Sequence, residues 1–367
     1  MPRTKEGEAM RSRATRARIG RCVLLGLMLV SLLVISPTAQ ATTTFQVVAT
    51  IDVGVNPFGA AMKPDGSSLW VANSGNFSTI GHTVTRINPS TYAIQGTINV
   101  GNFPEDIAFT PSGSQAFVTN DSDSTVSVIN ATTNAVTQTV DLSGIPMRFP
   151  TGVVVTPDAS KVFVTSIAGQ EDTSRKNIAV LNNSNPANVT IGSTITLTGN
   201  TGRPAITPDG SQLAVGYNVG NEAPPGAVFI DPSNNAILAT PKLNEVGVNP
   251  GTAITPDGRF TYLTKFSIDG GTGKVWVIDN ATHETVTTIP MPDRSMYGIR
   301  ITPDGRFAFA TDFALNQVTV ISTATNQIVA NIPVGTNPND VAFTPDSTKA
   351  FVTNEGNTTV SVISISG

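Results

Sequence analysis

The chain has 367 residues, of which 39% are hydrophobic and 13% charged, and this balance excludes an intrinsically disordered protein. Its 32 glycines and 25 prolines, with only 6% aromatic residues, are typical of many short strands joined by tight turns and not of long helices. The net charge of −4 includes no basic excess, which argues against a nucleic-acid partner.

Residues 1–41 have the pattern of a secretory signal peptide. Five arginines between Arg11 and Arg21 precede an apolar stretch from Cys22 to Ile35, and Ala39-Gln40-Ala41 supplies the small residues that a signal peptidase requires. We expect cleavage after Ala41 and a mature protein in the periplasm, outside the cell or at the cell surface. An uncleaved anchor is the alternative, although a spanning helix needs about 20 apolar residues. After cleavage we expect no stable membrane span.

Removal of this leader would change two properties of the chain. The leader holds the single cysteine, Cys22, so the mature protein would have neither a disulfide nor a thiolate metal site. The leader also holds seven Lys/Arg and two Asp/Glu, which leaves 15 basic and 24 acidic residues and a net charge of −9. Such a protein must gain its stability from burial and from geometric closure of the fold.

Residues 42–367 consist of seven copies of one repeat, each marked by a proline that follows a short apolar run. The prolines are spaced 47, 46, 51, 48, 47 and 42 residues apart, at Pro64, Pro111, Pro157, Pro208, Pro256, Pro303 and Pro345. Asp-Gly follows the proline in four copies, and this is a tight-turn sequence. Seven copies fill the chain, so we expect a single domain over residues 42–367.

Each copy has the same internal order of short strands. In the last copy, one strand precedes the proline at Asp340–Thr344, and two more follow at Ala350–Asn354 and Thr359–Ser364. Other copies add a fourth strand, such as Thr97–Val100. The strands are rich in Val, Ile, Thr and Phe and alternate in polarity, which is typical of antiparallel sheets. We interpret the asparagines that end the second strands as turn-forming residues.

A four-stranded sheet cannot bury both of its faces alone, but radial stacking of such sheets buries them. The sequence therefore predicts an all-β fold, a seven-bladed β-propeller of four-stranded antiparallel blades. The last copy ends after its third strand, whereas Val47–Val53 offers a surplus strand with the fourth-strand pattern. We expect this N-terminal strand to complete the last blade and close the ring, which would remove exposed edges.

The second strands resemble those of the YVTN-family β-propeller proteins, which are also described as surface-layer-like repeats. The matching segments are Trp70–Asn73, Phe117–Asn120, Phe163–Ser166, Tyr262–Lys265, Phe309–Asp312 and Phe351–Asn354, and the loops Val53–Pro57 and Val334–Pro338 also fit. The resemblance covers nearly all of residues 45–366, and Leu213–Gly216 in the fourth copy departs most. It implies a propeller outside the cytoplasm and no single shared chemistry.

The two faces of such a propeller differ in this sequence. The loops from strand four to strand one and from strand two to strand three lie on one face, termed the variable face, and the Pro-Asp-Gly turns lie on the opposite turn face. Four of the two-to-three loops are long, at residues 74–83, 167–177, 218–226 and 266–273. Because binding usually resides where loops vary on a constant scaffold, we expect the binding site on the variable face.

The first strand of each copy contributes side chains to the central channel. Of the seven residues that lie three positions before the prolines, six are small or apolar and the seventh is Arg300. Two positions earlier the charged residues are Asp106, Arg203 and Asp340. Because a buried arginine needs a partner, we expect Arg300 to pair with Asp340 of the adjacent blade.

Two interpretations of these charges remain open. They form either a structural ion pair that fills the channel or a charged mouth that binds an anionic or polar ligand. In the second case, Glu105, Arg148 and Arg294 in the adjoining loops would extend the binding site.

Motifs for metals and cofactors are weak. The two histidines, His82 and His283, fall on opposite faces, so they cannot form a zinc site together. Asp121-Ser122-Asp123 lacks the glycine and the distal glutamate of a calcium loop, and Gly270–Lys274 lacks the hydroxyl residue and the helix of a phosphate-binding loop. We expect neither a metal nor a cofactor.

These observations favour a non-enzymatic binding or scaffold protein that recognises a cell-envelope component, a glycan, a small molecule or a protein on its variable face. The alternative is a hydrolase resembling the lactonase-type propellers, with a charged site at the channel mouth. Its candidate residues are Arg300, Arg203, Asp106, Asp340 and Glu105, but carboxylates and arginines alone are a weak catalytic signature.

Overall fold

Short strands and tight turns dominate the computed structural model of the protein. It describes residues 43–145, 147–166, 177–197, 199–218, 226–243, 250–267, 272–291, 293 and 295–367. The predicted signal peptide, Arg294 and most of the three long loops 167–177, 218–226 and 266–273 lie outside these residues. Within the described part, no helix is long and apolar enough to cross a membrane.

The described strands form seven antiparallel four-stranded sheets, numbered as blades 1 to 7 in chain order. Strand β1 (Thr44–Asp52) precedes blade 1. Blade 1 contains β2 (Pro57–Met62), β3 (Leu69–Asn76), β4 (Thr79–Ile87) and β5 (Ile94–Asn99). Blade 2 contains β6 (Pro104–Phe109), β7 (Gln115–Asn120), β8 (Thr125–Asn130) and β9 (Ala135–Asp141). Blade 3 contains β10 (Pro150–Val155), β11 (Lys161–Ser166), β12 (Asn177–Asn182) and β13 (Thr190–Thr196).

The remaining blades repeat this order. Blade 4 contains β14 (Asn200–Ile206), β15 (Leu213–Asn218), β16 (Gly226–Asp231) and β17 (Ala236–Ala239). Blade 5 contains β18 (Thr252–Ile254), β19 (Phe260–Lys265), β20 (Lys274–Asp279) and β21 (Thr285–Pro290). Blade 6 contains β22 (Met296–Ile301), β23 (Phe307–Asp312), β24 (Gln317–Ser322) and β25 (Gln327–Pro333). Blade 7 contains β26 (Pro338–Phe343), β27 (Lys349–Asn354) and β28 (Thr359–Ser366).

The predicted closure of the ring is confirmed. Strand β1 pairs antiparallel with β28, and the order of the last sheet is β1-β28-β27-β26. Ile51 of β1 faces Val360 and packs among buried residues of blades 1 and 7. The first and last strands of the domain therefore share one blade, and that blade holds the two ends of the ring together.

The core lies between neighbouring blades, and each blade contributes at least one large, fully buried aromatic side chain to it. These side chains are fully buried and comprise Trp70, Phe117, Phe163, Phe229, Tyr262, Phe309 and Phe351. Six of them come from second strands. In blade 4 the second strand has Ala214 at this position, and Phe229, its cross-strand partner in β16, supplies the ring instead. The departure of the fourth copy from the repeat is thus compensated on the adjacent strand.

A threonine near the end of four of the second strands ties one blade to the next. Thr353 Oγ1 donates to Phe58 O at 2.7 Å, and Thr264 Oγ1 donates to Tyr297 O at 2.7 Å. Thr311 and Thr165 make the corresponding bonds to Asn339 O and Gly202 O. This contact explains the threonine of the Val-Thr-Asn segments, because its hydroxyl satisfies a buried carbonyl of the neighbouring inner strand.

The asparagine that follows does not act as a turn-forming residue, and our interpretation of it was wrong. Asn73, Asn120 and Asn354 are buried within strands. Asn73 Oδ1 accepts from Gly54 N at 3.1 Å, and its Nδ2 donates to hydroxyls of β4. A Cβ atom on Gly54 would lie 2.5 Å from Asn73 Cγ, which explains the glycine before the first strand. The side chain therefore fixes the loop that enters the channel.

One expected loop also differs from the structure. Residues 74–83 do not form an irregular two-to-three loop, because β3 continues to Asn76 and β4 begins at Thr79. The two strands extend as a hairpin on the variable face, and its tip carries the fully exposed Phe77.

Closure by β1 can be tested with one buried and one exposed side chain of the same strand. Ile51→Ala should lower the free energy of unfolding by about 2–5 kcal/mol, because a buried aliphatic side chain is removed from the seam of the ring. Val48→Ala, at an exposed position of β1, should change it by less than about 0.5 kcal/mol. Denaturant unfolding measures both, and equal small effects would contradict a structural role for β1.

Candidate binding site at the channel mouth

The four predicted channel charges come together in one network, termed the channel quartet: Asp106, Arg203, Arg300 and Asp340. Arg300 Nη2 lies 3.1 Å from Asp340 Oδ2, so the expected pair forms, and it lies 3.9 Å from Asp106 Oδ1. Arg203 Nη1 lies 3.3 Å from the same Asp340 oxygen. Two arginines and two carboxylates balance each other in charge.

The two aspartates also link neighbouring inner strands. Asp340 Oδ2 accepts from Ala60 N of blade 1 at 3.3 Å, and Asp106 Oδ2 accepts from Val153 N of blade 3 at 3.1 Å. The other oxygen of each carboxylate accepts from the backbone N–H of the following residue. Burial raises the pKa of Asp106, although the nearby arginines oppose this change. Both carboxylates are therefore occupied by contacts within the fold.

Arg203 crosses the channel from blade 4 to blade 7. Its side chain is 4% exposed, its Nη2 donates to Asn339 Oδ1 at 2.9 Å, and its guanidinium lies 5.2 Å from the centre of the Phe58 ring. The Arg300 side chain is 27% exposed and retains contact with solvent. The arginine that the sequence singled out is thus the more accessible one, and Arg203 is the buried strut.

A double-mutant cycle tests whether the Arg300–Asp340 pair is structural. Asp340→Ala should cost about 3–5 kcal/mol of stability, because it leaves two arginines and a backbone N–H without their shared acceptor. The double variant with Arg300→Ala should be less destabilised than the sum of the two single changes, by about 0.5–3 kcal/mol. Chemical denaturation measures the three values. Asp52→Ala, at an exposed position, serves as the control, and strict additivity would refute the coupling.

Above the quartet, on the variable face, a second group of side chains surrounds the channel entrance. We term it the mouth cluster, and it comprises Phe58, Glu105, Asp121, Tyr297, Phe313, Asn339 and Glu355. Four members are the second residues of their inner strands: Phe58, Glu105, Tyr297 and Asn339. The other three directly follow a second strand: Asp121, Phe313 and Glu355. They belong to blades 6, 7, 1 and 2, which are consecutive around the ring.

Three aromatic rings form one side of the mouth cluster. The rings of Phe58 and Tyr297 are 6.1 Å apart in a T-shaped arrangement, and those of Tyr297 and Phe313 are 5.9 Å apart. Because Phe58 belongs to blade 1 and Tyr297 to blade 6, their contact extends past blade 7. Together with Arg203 below Phe58, these rings occupy the entrance of the channel.

The carboxyl groups of the mouth cluster are in an unfavourable environment for charge. Burial and the neighbouring charge of Asp121 raise the pKa of Glu105 well above its usual range. Burial raises the pKa of Asp121 to about 6 and also raises that of Glu355, although Asn339 Nδ2 donates to Glu355 Oε2 at 2.8 Å. The pKa of the Tyr297 hydroxyl is raised by burial and by Glu105, so it remains protonated.

Several polar groups at the mouth lack a hydrogen-bond partner in the described part of the chain. The hydroxyl of Thr151 has no hydrogen-bond partner although the residue is buried, with only 6% of its surface exposed. Thr151 occupies the position in blade 3 that Glu105 occupies in blade 2. The Glu105 carboxylate and the Tyr297 hydroxyl, both partly exposed, also make no recorded hydrogen bond. The entrance therefore offers polar groups that the fold itself leaves unsatisfied.

The structure divides the predicted site residues into separate groups. Four form the quartet, and Glu105 belongs to the mouth cluster. Arg148 is exposed in the loop before β10, and no recorded contact joins it to either group. Arg294 lies outside the described residues. Whether any of these residues binds a ligand stays a prediction.

The sequence reasoning missed Phe58, Tyr297, Phe313 and Glu355. A signal for them existed, because each stands next to a position that the repeat defines, either the inner ring or the last residue of a second strand. The Asp121-Ser122-Asp123 segment divides in the structure, since Asp123 binds the backbone and side chain of Asn102. Among the described residues, no three acidic, histidine or cysteine side chains are placed to hold a metal ion.

The raised pKa of Asp121 predicts a pH dependence of stability. Its ordinary pKa is 3.8 and its pKa in the folded protein is about 6, so the folded state loses stability as the pH rises between these values. Asp121→Asn removes this loss, and its stability relative to the unchanged protein should rise by roughly 1 kcal/mol from pH 4 to pH 7.5. This value is smaller than the full free-energy equivalent of the pKa change, because solvent screens the partly exposed Asp121 carboxylate.

Thermal or denaturant unfolding at both pH values measures this difference. Asp52→Asn, which changes an exposed carboxylate, should show no such rise. A constant difference for Asp121→Asn across the pH range would mean that its carboxylate is not desolvated.

Comparison with protein-family models and with curated proteins gives no match. Among solved structures, the chain is similar to hydrazine synthase of Kuenenia stuttgartiensis, with a TM-score of 0.73 and 20% sequence identity over 84% of this chain and 95% of that one. In all, 1726 solved chains match, and a likeness shared so widely concerns architecture and not chemistry. The comparisons therefore support one conclusion, that the chain has the seven-bladed β-propeller fold.

Proposed function

We propose that this protein is an extracytoplasmic, non-enzymatic binding propeller of the YVTN type that takes its ligand at the mouth cluster on the variable face. The ligand is a component of the cell envelope: a glycan, a small molecule or a segment of a protein. The leader-like residues 1–41 support export, and the repeat segments support the YVTN assignment.

The observation that carries this proposal is the contrast between the two groups of polar residues. The quartet is internally neutral, three of its four side chains are buried, and each of its carboxylates accepts backbone hydrogen bonds. The mouth cluster leaves a carboxylate, a phenol and the adjacent Thr151 hydroxyl unpaired beside aromatic rings. Aromatic side chains combined with a few polar groups are the usual lining of a ligand-binding site.

The hydrolase alternative has weaker support. Four of its five candidate residues form the quartet, where their charges are mutually compensated, so they are poorly suited to bind or activate a substrate. Glu105 is the remaining candidate, because an unpaired carboxyl group with a raised pKa can act as a general base. Its neighbours Asp121, Glu355 and Tyr297 are further acidic groups and not a nucleophile paired with a base, so the cluster supports binding better than catalysis.

A thermal-shift screen against glycans, cell-wall fragments, lactones and small polar molecules tests this function. A ligand at a hundredfold excess over its dissociation constant stabilises the folded state by about 2.7 kcal/mol, which raises the unfolding temperature by several degrees. The shift should be lost in Tyr297→Leu and kept in Glu284→Gln, which alters an exposed carboxylate on the turn face.

Three outcomes separate the possibilities. A shift that Tyr297→Leu removes supports a binding site at the mouth cluster. A lactone that is turned over, with loss of turnover in Glu105→Gln, replaces the binding protein with the hydrolase. A ligand whose shift is unaffected by any change at the mouth cluster places the binding site elsewhere and contradicts the proposal.

A further inference from the structure

We infer that the ligand group held by the mouth cluster is an organic ammonium ion, an alkylated or primary amine whose charge faces the carboxylates and whose carbon atoms face the aromatic rings. This inference rests on the proposed function and adds the chemical class of the ligand.

The first argument is the charge of the entrance. Glu105, Asp121 and Glu355 provide three carboxyl groups, and Arg203, whose charge acts on Glu105 and Glu355, is paired with Asp340. Because the quartet is neutral in itself, it provides no net positive charge to balance the mouth. A cation entering from the variable face would meet uncompensated carboxylates, whereas an anion would be repelled.

The second argument is the aromatic wall. Phe58, Tyr297 and Phe313 stand beside these carboxyl groups, and aromatic faces attract cations through their quadrupole. Arg203 already uses one such face, at 5.2 Å from the Phe58 ring, which demonstrates that this wall accepts a cation. Carbon-bearing ammonium groups fit such a wall better than a metal ion does, because their charge is spread over apolar surface.

The third argument is independent of charge and comes from the unpaired oxygens. The Thr151 hydroxyl is more than nine-tenths buried without a partner, in the blade next to Glu105. Both groups can accept hydrogen bonds, so they can bind the N–H groups of a primary ammonium ion. Arg203 Nη1 makes no hydrogen bond, but it forms an ion pair with Asp340 Oδ2 at 3.3 Å. It therefore needs no anion from outside.

The titratable and charged groups that face this entrance are Glu105, Asp121, Glu355, Tyr297, Arg203 and, below them, Asp106, Asp340 and Arg300. A bound cation favours the ionised form of the carboxyl groups, so it lowers their raised pKa values. Binding must then release protons at low pH, and the affinity for an ammonium ion should increase with pH. A neutral ligand such as a sugar would not produce this dependence.

Calorimetric titration of the full-length protein with choline and putrescine tests the inference. The matched control ligand is 3,3-dimethyl-1-butanol, which has the shape of choline without its charge. We expect at least one of the two cations to bind. If choline binds, the neutral alcohol should bind at least about tenfold more weakly than choline. Affinity for the cation should fall at least about threefold from pH 7.5 to pH 5 at constant ionic strength.

Variants locate the site. Glu105→Gln and, separately, Asp121→Asn should weaken cation binding about tenfold, while Glu284→Gln should leave it within twofold. Unfolding temperatures establish that each variant is folded, and the two mouth variants provide independent tests should one fail to fold.

The contrary results are distinct from failure of the proposed function. Binding of neither cation, equal binding of the neutral alcohol, or binding that ignores both Glu105→Gln and Asp121→Asn would overturn the ammonium assignment. If a neutral glycan instead binds in a manner that depends on Tyr297, the proposed binding function stands while the inferred ligand class is wrong.

Discussion

The fold depends on contact between blades. A single four-stranded sheet of this sequence would expose two apolar faces, and each face is covered only when the next blade is in place. The large aromatic side chains are buried between blades, and the threonine hydroxyls of the second strands donate to inner-strand carbonyls of the following blade. The pairing of β1 with β28 then gives the last blade its fourth strand and joins the first strand of the domain to the last.

The same requirement shapes the channel. Inner strands of adjacent blades approach closely at positions such as Gly59 and Gly298, where a Cβ atom would meet backbone of the neighbouring strand. Where the repeat has aspartate instead, its carboxylate accepts an N–H group of the next blade, and this carboxylate needs a counter-charge in the channel. Arg203 and Arg300 supply that charge from other blades. The quartet is thus a consequence of two aspartates in an otherwise glycine-rich ring.

The candidate site arises where the copies differ. The second residue of the inner strand is Phe58, Glu105, Thr151, Tyr297 or Asn339 in different blades, although each of these strands has the same length of six residues. Constant backbone geometry and variable side chains produce an entrance with aromatic rings on one side and carboxyl groups beside them. The unpaired Thr151 hydroxyl at this entrance can form a hydrogen bond with a ligand.

The sequence by itself determined the number of blades, the four strands of each blade and the closure by the N-terminal strand, because each follows from a repeat that recurs seven times with one strand displaced. It also predicted the Arg300–Asp340 pair, since equivalent positions in adjacent copies are neighbours in a ring. Only the tertiary structure decided that Arg203 crosses the channel to Asp340, that Asn73 is a buried strut, and that Phe58 contacts Tyr297. These contacts join residues across the channel axis or between strands, and the spacing of the repeats along the sequence does not encode such distances. The contacts depend on how far each side chain extends into the channel that the ring encloses.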